Sequence, residues 1–185
     1  MSARGFWHTF WLTRLSKPAG ERVIHRHVLR ARPARILELG LGLLVRTERM
    51  LTAVGTQHPA GPVQYVGLDR FEGRAPSDPP GVSLKQAHRR LHPLGRVQLV
   101  PGNTDTSLSR LCNHLGSFDL VLVSADNDER HLERSWFFLQ RMIHAGTVVF
   151  VESKSAAGST WTLTSKARID ELAARMVKPG LRRAG

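Results

Sequence analysis

The residues of this chain best suited to chemistry recur where short apolar runs give way to glycine or acid. Glu38-Leu39-Gly40-Leu41-Gly42 closes the run from Arg35, Asp69 closes Val63 to Leu68, and Pro101-Gly102-Asn103 closes Val97 to Val100. Ser124-Ala125-Asp126-Asn127-Asp128 then follows Leu120 to Val123, and Glu152 follows Thr147 to Val151. Glycines after a strand let the backbone turn tightly and approach a ligand, and the next helix offers its free N–H groups. A carboxylate ending the second strand can accept both hydroxyls of a ribose. An amide after the third strand can pair with adenine. A dinucleotide is poorly served, because its fingerprint asks for a small residue three positions after Gly42 and Val45 stands there.

Three side chains near the same strand ends are candidate proton acceptors: Asp126, His131 and Glu152. His131 falls in the first turn of a helix, where the positive end of the dipole favours a neutral, basic imidazole. The competing reading pairs it on the surface with Asp128 or Glu133. Asp128 reads as the cap of that helix, with Asp126 and Asn127 as close alternatives. The lone Cys112 excludes a disulfide framework and a multi-cysteine zinc site, and reads as a small buried hydrophobe.

The elements that must position these groups alternate. Five short apolar strands are separated by amphipathic helices at about 43–54, 84–91, 106–115 and 128–142, with a last helix at 165–177 and an extra one at 19–30. Such a series makes a doubly wound α/β fold, a mostly parallel sheet of order 3-2-1-4-5 covered on both faces. Tyr65 and Trp136 are expected in its core. Phe6 to Leu12 is too short for a membrane helix or a convincing leader, so a cytoplasmic location is the expectation. Trp7, Phe10 and Trp11 would share a helix face, as a lid packed on the domain or as an interfacial anchor.

The net charge of +12 is the outlier of the composition. It divides the chain into a basic N-terminal helical extension (1–33, net +6), a near-neutral body (34–152, net +1) and a basic C-terminal segment with one helix (153–185, net +5). All three are expected to form one globular unit. Because 22 of the 27 basic residues are Arg, coding bias explains the charge as readily as phosphate binding does.

The runs RILELGLGLL (35–44), VGLDRFEGR (66–74), LVPGN (99–103) and FDLVLVSADND (118–128) resemble motifs I to IV of the class I, Rossmann-like S-adenosylmethionine (SAM)-dependent methyltransferases, in order and spacing. The resemblance covers about 34–152. It implies that Gly40 and Gly42 line the methionine end of SAM with Glu38 supporting the loop, that Asp69 holds the ribose and Asn103 the adenine, and that Ser124 and Asp126 stand beside the cofactor and the substrate mouth. The fourth run is similar to the metal-binding motif of catechol and caffeoyl-CoA type O-methyltransferases. There the first Asp of D-A-D and an Asp-Asn pair after strand five hold a divalent cation. Here those positions read Ser124 and Glu152-Ser153, so no metal is expected. The terminal antiparallel hairpin of the class is expected to be missing or reduced.

The reading from these residues is a SAM-dependent methyltransferase with a small-molecule acceptor. Methyl transfer is in-line displacement that relies on alignment, with Asp126 and His131 as the catalytic candidates. The alternatives are a catalytically idle SAM-binding relative and a basic nucleic-acid-binding protein gripping phosphate through its two ends.

Overall fold

The computed structural model describes residues 7, 9–55, 61–156 and 158–177. Its centre is a six-stranded sheet built from β1 (Arg35–Leu39), β2 (Gln64–Asp69), β3 (Arg96–Pro101), β4 (Phe118–Val123), β5 (Ile143–Ser155) and β6 (Gly158–Thr164). The order is β3-β2-β1-β4-β5-β6. The first five strands are parallel, and Leu39 of β1 lies between Leu68 of β2 and Val123 of β4. The carboxyl ends that carry Gly40, Asp69 and Ser124 therefore share one edge of the sheet.

The central strands β1, β2 and β4 bury both faces, as parallel strands between helices must. Ile36 points into a core with Ile24 and Val28 of α1 (Arg22–Ala31), Met50 and Leu51 of α2 (Val45–Gly55) and Leu91 of α3 (Leu84–Leu91). Leu37 and Leu39 point the other way. They meet Leu108 of α4 (Thr104–Leu111), Trp136 and Leu139 of α5 (Glu129–Leu139) and Ile169 of α6 (Lys166–Val177). Tyr65, Cys112 and Trp136 are buried as their types suggest. Local signals fix the helix starts: Ser83 and Gln86 form a capping box on α3, and the Asp128 carboxylate accepts from the Arg130 and His131 N–H groups at the start of α5.

The five-strand sheet expected from the sequence is corrected to six. The order 3-2-1-4-5 is kept, and β6 is added antiparallel to β5, so the terminal hairpin is reduced to a single strand. The apolar run Thr147 to Val151 marks only the middle of β5. Its polar end, through Ser155, is held by backbone pairing with Gly158 to Trp161, which leaves no hydrophobic pattern to read. Trp161 alone in β6 turns inward, to 6% exposure.

The N-terminal turn Trp11–Leu15 packs through Leu12, which is fully buried, while Trp7, Phe10 and Trp11 keep their rings partly in solvent. The Arg49 guanidinium lies 5.1 Å from the centre of the Trp11 ring. Among the described residues no helix is long and apolar enough to cross a membrane. The basic ends 1–6 and 178–185 lie outside the described residues.

Candidate active site

The turn after β1 is built on two left-handed glycines, Gly40 (φ +84°) and Gly42 (φ +56°). At Gly40 a Cβ would come within 3.0 Å of both the Ser124 Cβ and the Asn127 Nδ2, so the close approach of β1 and β4 also demands glycine. Asn127 pins this crossing by donating to the Leu39 and Ser124 carbonyls at 2.8 and 2.7 Å. Asp69 holds the turn from the other side. Its Oδ2 accepts the Leu41 and Gly42 N–H groups at 2.7 and 3.3 Å, and its Oδ1 accepts the Phe71 N–H at 2.8 Å.

Glu38 lies beneath the turn, fully buried, and does not reach the cleft. Its Oε1 accepts from Arg46 Nε and Nη2 at 2.8 and 2.6 Å; its Oε2 accepts from the Thr47 and Tyr65 hydroxyls at 2.9 and 2.7 Å. Arg46 also donates to the Gly40 carbonyl at 2.9 Å and stacks 4.6 Å from the centre of the Trp161 ring. Burial works against the Arg46 charge, but the Glu38 carboxylate outweighs it and holds the guanidinium above its ordinary value. Burial and the same carboxylate push the Tyr65 hydroxyl well up. Glu38 thus acts on the glycine turn through Arg46.

A cleft lined by Gly40, Asp69, Gly102, Asn103, Asp126 and His131 runs across the strand ends. Its free volume is about 20 Å³, room for a single water molecule. Arg74 narrows it, placing Nη2 2.8 and 2.6 Å from the two oxygens of Asp69 while Nη1 donates to the Pro79 carbonyl at 2.9 Å. The donor set suits an adenine nucleoside: a strand-end carboxylate, a glycine turn, and an Asn103 side chain that makes no capping bond to α4. His131 has a different partner from the two expected. Its Nδ1 lies 2.9 Å from Asp105 Oδ1 on α4, because the Asp128 carboxylate is already spent on the backbone of α5.

A second, more open pocket of about 280 Å³ adjoins the cleft and shares Asp126 with it. Leu41, Leu44 and Pro80 give it apolar walls, and Glu21, Glu152 and Lys154 bring charge. Glu152 on its wall is held from behind: the Ser124 hydroxyl donates to Glu152 Oε2 at 2.8 Å, the Ala125 N–H donates to the same oxygen at 3.0 Å, and the Ser159 hydroxyl donates to Oε1. Burial acts to raise the Glu152 carboxyl, but these hydrogen bonds and Arg46 outweigh it and bring it below its ordinary value. Asp126 forms an ion pair with Lys154. These oxygens do not fit a divalent cation as they stand, since hydroxyl and amide donors take Glu152 and an ammonium takes Asp126.

The structure thus brings Gly40, Asp69, Asn103, Asp126 and His131 to one cleft, sets Gly42 on the neighbouring pocket, buries Ser124 behind that pocket's Glu152, and leaves Glu38 below both. Sequence reasoning missed Arg46, Arg74, Lys154 and Glu21. Glu21 carried a signal, as the sole acid among the seven bases of residues 1–33; Arg74 and Lys154 look like any other basic residue in a basic chain.

No family model and no curated protein matches the sequence. Solved structures do match. The O-methyltransferase TomG from Streptomyces achromogenes, in complex with SAM, superposes with a TM-score of 0.56 at 16% identity, over 95% of this chain and 78% of that one. The Podospora anserina methyltransferase PaMTH1, bound to the demethylated product SAH, gives 0.56 at 15% identity over 97% and 81%. The MycE methyltransferase of mycinamycin biosynthesis, with Mg and SAH, gives 0.51 at 20% identity, and this chain spans only 39% of its length. At these identities the likeness is one of fold, and the chain has the fold of the class I, Rossmann-like SAM-dependent methyltransferases.

Proposed function

We propose that this protein is a SAM-dependent methyltransferase acting on a small-molecule acceptor. The observation that carries the reading is Asp69, a buried strand-end carboxylate bonded to the N–H groups of a left-handed glycine turn and facing Asn103 across a cleft. Solved structures of the same fold with SAM or SAH bound support it. Asp69 would take the ribose hydroxyls, Asn103 the adenine, and the Gly40–Gly42 turn the methionine end. When bound, SAM supplies an electrophilic methyl group. The chain's own part is to hold that methyl at the boundary between the cleft and the 280 Å³ pocket, exclude water, and align the acceptor. Asp126, at that boundary, would orient the acceptor rather than ligate a metal, because Lys154 already neutralises it.

Calorimetric titration of SAH into wild type and Asp69→Ala tests the reading. Saturable heat is expected for wild type and little or none for the variant; no heat with wild type sinks it. One observation favours a second reading, an idle relative: Arg74 lies on the carboxylate that the ribose would use. Turnover of SAM with any acceptor overturns that alternative.

A further inference from the structure

Glu21 lies outside every motif of the fold, on the short 3-10 turn Ala19–Glu21 that precedes α1. Its backbone is carried to the site by Gly20, which packs directly on β6: a Cβ at Gly20 would stand 2.2 Å from the Ser159 carbonyl oxygen. The Glu21 side chain lines the open pocket together with Gly42, Asp126, Glu152 and Lys154, although the residue is only 8% exposed. Its Oε2 is buried and has no hydrogen-bond partner among the described residues. Arg49 Nη1 stands off at 4.0 Å.

The other carboxylates of this pocket are committed. Glu152 receives two hydroxyls and an amide, and Asp126 receives an ammonium. His131, expected at the mouth, is bonded to Asp105 and does not line this pocket. Resting on the methyltransferase reading, we propose that Glu21 is the proton acceptor for a neutral hydroxyl acceptor in this pocket. As the acceptor oxygen bonds to the methyl carbon of SAM, the carbon–sulfur bond breaks, its electron pair goes to sulfur, and the hydroxyl proton passes to the Glu21 carboxylate.

The environment suits that task. Burial raises the Glu21 carboxyl from 4.5 to about 7; Arg46 and Arg49 pull it down, and Glu38 and Glu152 push it up. A base poised near the working pH holds the best compromise between being ionised and being basic. Beyond the Arg49 ion pair, this oxygen keeps its hydrogen-bonding capacity for a hydroxyl brought into the pocket.

The test uses the full chain and two probe acceptors, phenol and 4-nitrophenol. The first holds its proton at neutral pH, with a pKa of about 10 like that of a tyrosine side chain; the second is a much stronger acid, largely ionised at the alkaline end of the range tested, and there needs no base. SAH formation from SAM is followed across pH 5.5–9, a range of roughly two units either side of the raised Glu21 value of about 7, for wild type and Glu21→Gln. The expected result is turnover of both probes by wild type, with the phenol rate losing its acid limb and falling about 100-fold in the variant. The 4-nitrophenol rate at the alkaline end of the range, and SAH affinity, should be preserved. An equal loss on both probes makes Glu21 structural and overturns the proposal. So does no loss on either, or the absence of turnover in a wild type that binds SAH. Failure of wild type to bind SAH instead rejects the methyltransferase reading itself.

Discussion

Arg74 and Asp69 form a closed pair, with one guanidinium nitrogen 2.8 and 2.6 Å from the two carboxylate oxygens and only 12% and 2% of the two side chains exposed. Any ligand that uses Asp69 must displace Arg74 or share it. Arg74→Ala should therefore tighten SAH binding several-fold, measured by calorimetry. The same change should destabilise the unliganded protein by about 2 kcal/mol in urea denaturation. That is less than the loss of a partner from an isolated buried pair, because Asp69 retains three backbone N–H donors.

The Glu38 network should respond asymmetrically to its two sides. Glu38→Gln leaves the Arg46 guanidinium buried without its counter-charge, for a cost of about 3–5 kcal/mol. Tyr65→Phe removes one hydroxyl that donates to a carboxylate still satisfied by Arg46 and Thr47, for about 1.5–3 kcal/mol. Urea midpoints of the two variants should fall in that order.

Gly40→Ala combines a left-handed φ of +84° with contacts at 3.0 Å to Ser124 and Asn127, and should lose about 1–3 kcal/mol. Gly73→Ala is the control. Nothing lies within 4 Å of a Cβ there, so its change should stay within about 0.5 kcal/mol of wild type. Thermal melts of the pair separate the demand of this turn from the general cost of losing a glycine.

What the sequence discloses is what backbone geometry and burial dictate. Gly40, Asp69 and Asn103 follow apolar strands, so position alone brings them to one cleft. The caps at Ser83 and Asp128 are local and legible for the same reason. What stays hidden is long-range pairing between polar side chains. Nothing near residue 131 announces Asp105, and nothing near residue 126 announces Lys154, which arrives on the polar end of β5 beyond its apolar run. Only Trp161-Thr162-Leu163 marks β6 as an extended stretch in the sequence, because edge pairing needs backbone rather than hydrophobic pattern. Glu21 is the sharpest case: it reaches the pocket through a turn that packs on β6, a strand the sequence marks only at Trp161 to Leu163.

The same residue yields a pH prediction that needs no substrate. A carboxyl whose folded value is raised to about 7 from 4.5 binds its proton more tightly in the native state. Its contribution to stability is full below 4.5 and is lost as pH rises through about 7, a loss of about 3 kcal/mol across that window. His27 opposes this, since burial and then Arg30 lower it from 6.5 and native stability rises as the unfolded imidazole loses its proton. Glu152 and Asp105 are both lowered from ordinary values of 4.5 and 3.8, so their contributions fade only at lower pH. The difference between wild type and Glu21→Gln cancels the other groups. Urea denaturation at pH 4.5, 6 and 8, spanning about the window over which a raised carboxyl titrates, should show the two proteins converging at the acid end. The variant should be the more stable at the alkaline end. A gap that is constant with pH would mean that Glu21 ionises in the native state as it does in the unfolded one.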